Sequence, residues 1–167
     1  MAKTGVSKEM LLDGAQMVLS AFLAGTIGFL KQQNIPITDW VSYIGEKFED
    51  SLGGLQGEGV DQVMQHLLAL QILPLGTEVI SSQLTAKKAE VTLTPLPSRT
   101  VLEKFGTTPR ELLRGFGVTQ RDFESIFAMY EPSAKAIGLS FTHQLKDGQQ
   151  VLSLERTPGR GKTDTGR

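Results

Sequence analysis

Leu139-Ser140-Phe141-Thr142-His143-Gln144-Leu145-Lys146-Asp147-Gly148-Gln149-Gln150-Val151-Leu152-Ser153-Leu154-Glu155 decides how this chain is to be read, because two strand-like runs flank an Asp-Gly pair. Asp-Gly suits the two-residue hairpin turn in which both central residues take positive φ. With that turn fixed, His143 falls opposite Leu152 and Phe141 opposite Leu154. A second pair of runs, 77–83 and 88–94, contains the alternation of Ala89, Val91 and Leu93 against Glu90, Thr92 and Thr94. The remaining segments carry helical periodicity and caps. The expected class is therefore α+β: N-terminal helices, then two β-hairpins separated by helices, forming an antiparallel sheet of about four strands.

Upstream of the hairpins, the chain runs from Gly14 to Leu30 without a charge. Ser7 is the expected cap of a helix reaching about Gln33, where Asn34-Ile35-Pro36 stops it. A helix apolar nearly all round is enclosed by protein or lies in lipid. Its length is at the short limit for crossing a bilayer, for which roughly 20 apolar residues are needed, and Gln16, Ser20 and Thr26 interrupt it. Small residues four apart, Ala21/Gly25 and Ala24/Gly28, let a second helix approach closely. These four residues are the expected oligomerisation face of a homo-oligomer, with contact to a membrane surface as the less favoured alternative.

Thr38 should cap a second helix that repeats Trp40, Ile44, Phe48 and Leu52, and a glycine-rich connector at 53–59 leads to a third helix through Val60, Val63, Met64 and Leu67. Ser98 opens a short helix. Thr108 with Glu111, and Thr119 with Asp122, have capping-box spacing, and Pro132 should kink the helix that runs from Thr119 to Gly138. The organisation expected is a helical, oligomerising segment over 1–55, an α+β ligand-binding-like domain over 56–156, and a disordered tail over 157–167 that lacks apolar anchors.

Composition narrows the chemistry. With 17 basic and 18 acidic residues and a net charge of −1, there is no electrostatic footprint for nucleic acid. The absence of cysteine removes disulfides, thiolate metal sites and a cysteine nucleophile, and fits a cytoplasmic location. His66 and His143 stand in no metal-ligand spacing, no G-x-S-x-G occurs, and Arg156 replaces the first glycine that Gly161-Lys162-Thr163 would need in a phosphate loop. No catalytic residue or metal ligand is assigned, and no cofactor is identified.

Helix and strand periodicity places Phe48, Met64, Phe123, Phe127, Tyr130, Phe141 and His143 on inward faces, where they would line an apolar pocket with Tyr130 and His143 as its polar contacts. The expected function is a non-catalytic oligomeric module. It would bind an apolar small molecule such as a lipid, quinone or aromatic compound, or scaffold a larger protein complex through its N-terminal helices. A hydrolase or isomerase of small substrates using His143 or Tyr130 is the alternative from another class; a purely structural subunit is the third reading.

The passage Leu67-Leu68-Ala69-Leu70-Gln71-Ile72-Leu73-Pro74-Leu75-Gly76, followed by Thr77-Glu78-Val79, is one element of a family likeness, and Ala136-Ile137-Gly138-Leu139-Ser140-Phe141 before the last hairpin is another. In these passages and in element order over about residues 10 to 156, the chain resembles the superfamily of vinyl-reductase-type small-molecule-binding domains, haem nitric-oxide-binding domains and trafficking-complex subunits with a lipid-accepting pocket. The resemblance implies an apolar pocket between helices and sheet, and helix-mediated dimers. It does not extend to haem: Tyr130-Glu131-Pro132-Ser133-Ala134-Lys135 departs from the Tyr-x-Ser-x-Arg motif, and the cysteines of several members are missing.

Overall fold

Ser7 accepts a hydrogen bond from the Met10 amide at 3.1 Å and so starts α1, Lys8–Gln32. The computed structural model describes Gly5 and residues 7–157; the expected tail beyond Thr157 lies outside the described residues. Asn34, at φ 57°, turns the chain out of α1. The second helix, α2 (Ile37–Lys47), begins one step before the expected cap. Pro36 already bends the chain and its carbonyl accepts from the amides of Asp39 and Trp40, so Thr38 lies inside the first turn. A 3₁₀ turn, Glu49–Leu55, leads to α3, Val60–Leu67. That helix widens into a π turn over Leu68–Ile72, tightens over Leu73–Leu75 and ends at Gly76, whose φ of 91° is left-handed.

The strands β1 (Val79–Leu84) and β2 (Lys88–Leu93) form the first hairpin. Three short helices follow: α4 (Arg99–Lys104), α5 (Pro109–Gly115) and α6 (Gln120–Glu124). Both expected capping boxes are present. Thr108 Oγ1 accepts from the Glu111 amide while Glu111 accepts from the Thr108 amide, and Thr119 and Asp122 exchange the same pair of bonds. A 3₁₀ turn, Ser125–Met129, separates α6 from α7, Tyr130–Ala136. The helix expected to kink at Pro132 is thus divided before it, where the proline's missing N–H leaves the preceding turn unsupported. The strands β3 (Leu139–Lys146) and β4 (Gln149–Arg156) close the chain around Asp147 (φ 51°) and Gly148 (φ 75°), with His143 opposite Leu152 and Phe141 opposite Leu154.

The four strands form one antiparallel sheet in the order β1-β2-β4-β3, so the two hairpins join through β2 and β4. Ala89, Val91, Leu93, Leu152 and Leu154 are buried on one face, packed against α3 and, on β3, against α7. Glu90, Thr92, Val151 and Ser153 alternate onto the other, more exposed face. The fold is α+β with a four-stranded antiparallel sheet. Ala24 and Ile27 of α1, and Leu52, belong to the same buried cluster as Val91 and Leu152, so one core runs from the first helix to the sheet.

Two glycines allow the helices to close on that core. Gly45 lets α2 meet α7: a Cβ there would lie 2.8 Å from Pro132 Cγ and 2.9 Å from the Met129 oxygen. Gly28 lets α1 meet the α5–α6 loop, because a Cβ there would run into the Phe116 carbonyl oxygen. Gly25 lies against the Phe116 ring. Ala24 and Gly28, expected at a face between subunits, are buried inside the chain: Ala24 in the core cluster, and Gly28 against the chain's own α5–α6 loop. Ala21 is only half-buried.

Candidate functional site

Six of the seven residues expected to line an apolar pocket lie on the core side of the fold. Met64, Phe123, Phe127, Tyr130 and Phe141 are all buried, and His143 is half-buried. The Phe127 ring stands 6.5 Å from Tyr130 and 6.1 Å from His143, and Tyr130 meets Phe141 edge-on at 5.8 Å. Tyr130 donates its hydroxyl to the Gln71 carbonyl at 3.3 Å, and burial pushes its pKa up to about 12. Burial lowers the His143 pKa, against a smaller opposing effect of Glu131. These aromatics pack on one another as core, and none of them lines either concavity described below. Phe48 is left outside, 60% exposed. Phe48 is the C-cap of α2, at φ −104° and ψ 12°, so the chain leaves helical geometry at this residue and the four-residue ladder of α2 ends before it.

The second feature is the outer side of α1. Leu11, Val18, Phe22 and Phe29 are exposed there, Phe22 by 69%. With Ala15 and Gly25 they make a stripe whose spacing alternates four, three, four, three, four, the 3.5-residue repeat of a coiled-coil seam. A shallow groove of about 640 Å³ runs between Leu11, Ala15, Val18 and Phe22 on this side. Phe105 and Phe116, both exposed, continue the apolar surface beside Gly14 and Gly25. The charges at the helix ends turn back to the chain. Lys104 holds Glu9 and Asp13 at 3.2 and 2.6 Å, and Lys31 holds Asp122 at 2.6 Å. By length and composition α1 also meets the requirement for crossing a membrane.

The third feature is a cleft of about 1070 Å³ where α4, α5 and the start of α6 meet the β3–β4 turn. Pro95, Leu113, Val118 and Leu145 give it an apolar floor, and Thr94 and Thr100 add hydroxyls. Arg99, Arg110 and Arg114 also line it, and no carboxylate does. Among the described residues Arg110 and Arg114 have no carboxylate within 4.0 Å, and Arg99 has one only at that limit, Glu103. The sequence reading did not single out these arginines. Arg110 and Arg114, one helical turn apart, were visible as a like-charged pair, but nothing local brings Arg99 or Leu145 to them.

Two buried polar groups sit close by. Gln150 is 1% exposed and neither atom of its carboxamide has a partner; its cross-strand neighbours are Leu93 and the cleft residue Leu145. Strand alternation with Leu152 and Leu154 marks it as inward-facing, a signal the sequence carried. Glu124, 4% exposed, accepts from the cleft residue Gln120 through Oε1, while Oε2 has no partner.

Burial raises the Glu124 pKa, and the hydrogen bond from Gln120 opposes the shift. A carboxyl with a raised folded-state pKa contributes its stability below the ordinary carboxylate range and loses it as pH rises through the folded value. Glu124→Gln is accordingly expected to melt above the parent at pH 7 and level with it near pH 4. A variant that melts below the parent at pH 7 would show the ionised carboxylate to be well accommodated.

Comparison with protein-family models, with curated proteins and with solved structures found no match for this chain.

Proposed function

We propose that this chain is a non-catalytic assembly module that pairs with a second copy of itself along the outer stripe of α1. The observation that carries the reading is the run of apolar side chains Leu11, Ala15, Val18, Phe22 and Phe29 at 3.5-residue spacing, left exposed by the chain's own fold. Monomeric soluble proteins seldom expose so extended an apolar strip, and two such stripes bury each other with a left-handed crossing of about 20°. Ala15 keeps the seam narrow enough for close contact, and at Gly25 the exposed Phe116 ring fills the stripe. Charge favours a second copy over an anionic lipid surface. The only cations on α1 are Lys8 and Lys31, and Lys31 is engaged by Asp122.

Sedimentation of the full chain at micromolar concentration tests the reading. The parent should run as a dimer or larger assembly. Val18→Asp with Phe22→Asp, which sets two carboxylates in the seam, should weaken association about 100-fold or more and yield a monomer with an unchanged circular dichroism spectrum. A monomeric parent, or an assembly indifferent to both aspartates, would remove the proposal. Co-sedimentation of a monomeric parent with phosphatidylcholine vesicles would give the stripe to lipid instead.

A further inference from the structure

We infer that the cleft between α4, α5 and the β3–β4 turn binds a small amphiphilic acid, its carboxylate held by Arg110, Arg114 and Arg99 and its hydrocarbon body laid on Leu113, Val118 and Leu145. The inference is independent of self-pairing, since α1 contributes no residue to this cleft. Its first support is the segregation of charge. In a chain with 17 cations and 18 anions, the cleft wall takes three arginines and no acid. Arg110 and Arg114 are one turn apart on the same helix, where like charges repel. Three lysines elsewhere in the fold sit against carboxylates at close range: Lys31 on Asp122, Lys88 on Glu155, and Lys104 on Glu9 and Asp13. Among the described residues Arg110 and Arg114 have no such partner and Arg99 has only Glu103, at 4.0 Å, so the cleft wall presents positive charge, beside apolar surface, to an anion from outside.

The second support is the pairing of that charge with apolar surface. A cleft for a free inorganic anion needs only donors, whereas this one places guanidinium groups beside proline, leucine and valine side chains in a space large enough for a drug-sized molecule. Guanidinium groups present planar forks of N–H donors that match a carboxylate in two-point fashion. The threonine hydroxyls of Thr94 and Thr100 supply further donors at the wall. Head recognition therefore comes from the helices, and body recognition from the floor between helix and sheet.

Calorimetric titration of the full chain separates the two contributions with three probes: decanoate, which has head and body; acetate, the head alone; and decanol, the body alone. Decanoate should bind one per chain, at least about tenfold more tightly than decanol, while acetate shows no measurable binding at the same concentrations. Arg110→Ala with Arg114→Ala should weaken decanoate about tenfold or more and leave decanol unaffected. Both side chains are exposed, and an unchanged melting temperature will confirm that the fold is intact. Lys87→Ala with Lys135→Ala removes the same net charge away from the cleft and should leave decanoate binding as in the parent. Equal binding of decanoate and decanol would overturn the inference, as would binding that survives the arginine changes or falls equally with the lysine changes. Decanoate binding that is lost on Phe22→Ser, with the arginines in place, would move the site to α1 and likewise overturn it.

Discussion

Gly28→Leu is expected to lower the stability of the fold by about 3 kcal/mol or more, read as a large drop in the urea midpoint. Two effects compete at this position. Leucine favours a helix over glycine by roughly 0.8 kcal/mol, and glycine has no positive φ here to justify it. Against that, even a Cβ would run into the Phe116 carbonyl oxygen, a backbone atom that moves only if the α5–α6 loop moves. Overpacking against main chain wins. Because the contact lies within one chain, the loss should be the same at every protein concentration, whereas a residue between subunits would show a concentration-dependent loss. A Gly28→Leu protein as stable as the parent would return this glycine to the subunit face.

Phe127→Ala should cost about 3–5 kcal/mol by the same measurement. Its ring is 1% exposed and contacts Tyr130 and His143 at the centre of the aromatic group. Truncation there removes the transfer energy of the ring and leaves a cavity that the four-stranded sheet on one side and α7 on the other can close only in part. If these aromatics instead bordered an open pocket, the ring would already face space and its loss would cost less than about 1 kcal/mol. The outcome distinguishes a filled interior from a ligand chamber at the very residues that the sequence proposes as pocket lining.

What the sequence made legible is what short-range chemistry determines. Ser7, the Thr108–Glu111 and Thr119–Asp122 boxes and the Asp147-Gly148 turn are each settled by bonds within a few residues, and all appear where the residues alone place them. The register of β3 on β4 follows from that turn. Phe48 escaped because the helical period extends one residue past the last turn of α2, which ends at Lys47 with no marker such as proline or glycine at its cap. The strand expected from Thr77 starts at Val79 because the Thr77 hydroxyl donates to the Thr94 carbonyl, tying the entry to the hairpin before the ladder begins. Ala24 and Gly28 show a different limit. Small residues announce a close neighbour without saying whether it belongs to the same chain. The arginine cleft was out of reach for a third reason, since its charge comes from α4 and α5 while Leu145 arrives from a strand beyond α7.

The strand order has a consequence for how the molecule comes into being. Each hairpin closes a short loop and can form and dissolve within microseconds, yet an isolated two-stranded ribbon holds too little apolar contact to persist. The pairing of β2 with β4 must wait for Lys88 to find Glu155 and Leu93 to find Gln150, with α4, α5, α6 and α7 strung between them. Most of the chain's lost freedom therefore precedes the contact that rewards it. By this topology the β2–β4 pairing is expected to be the slow step of folding, and a destabilising change at Leu93 should slow refolding more than one at the Asp147-Gly148 turn. The seam at the centre of the sheet is thus the one whose strands lie farthest apart along the chain.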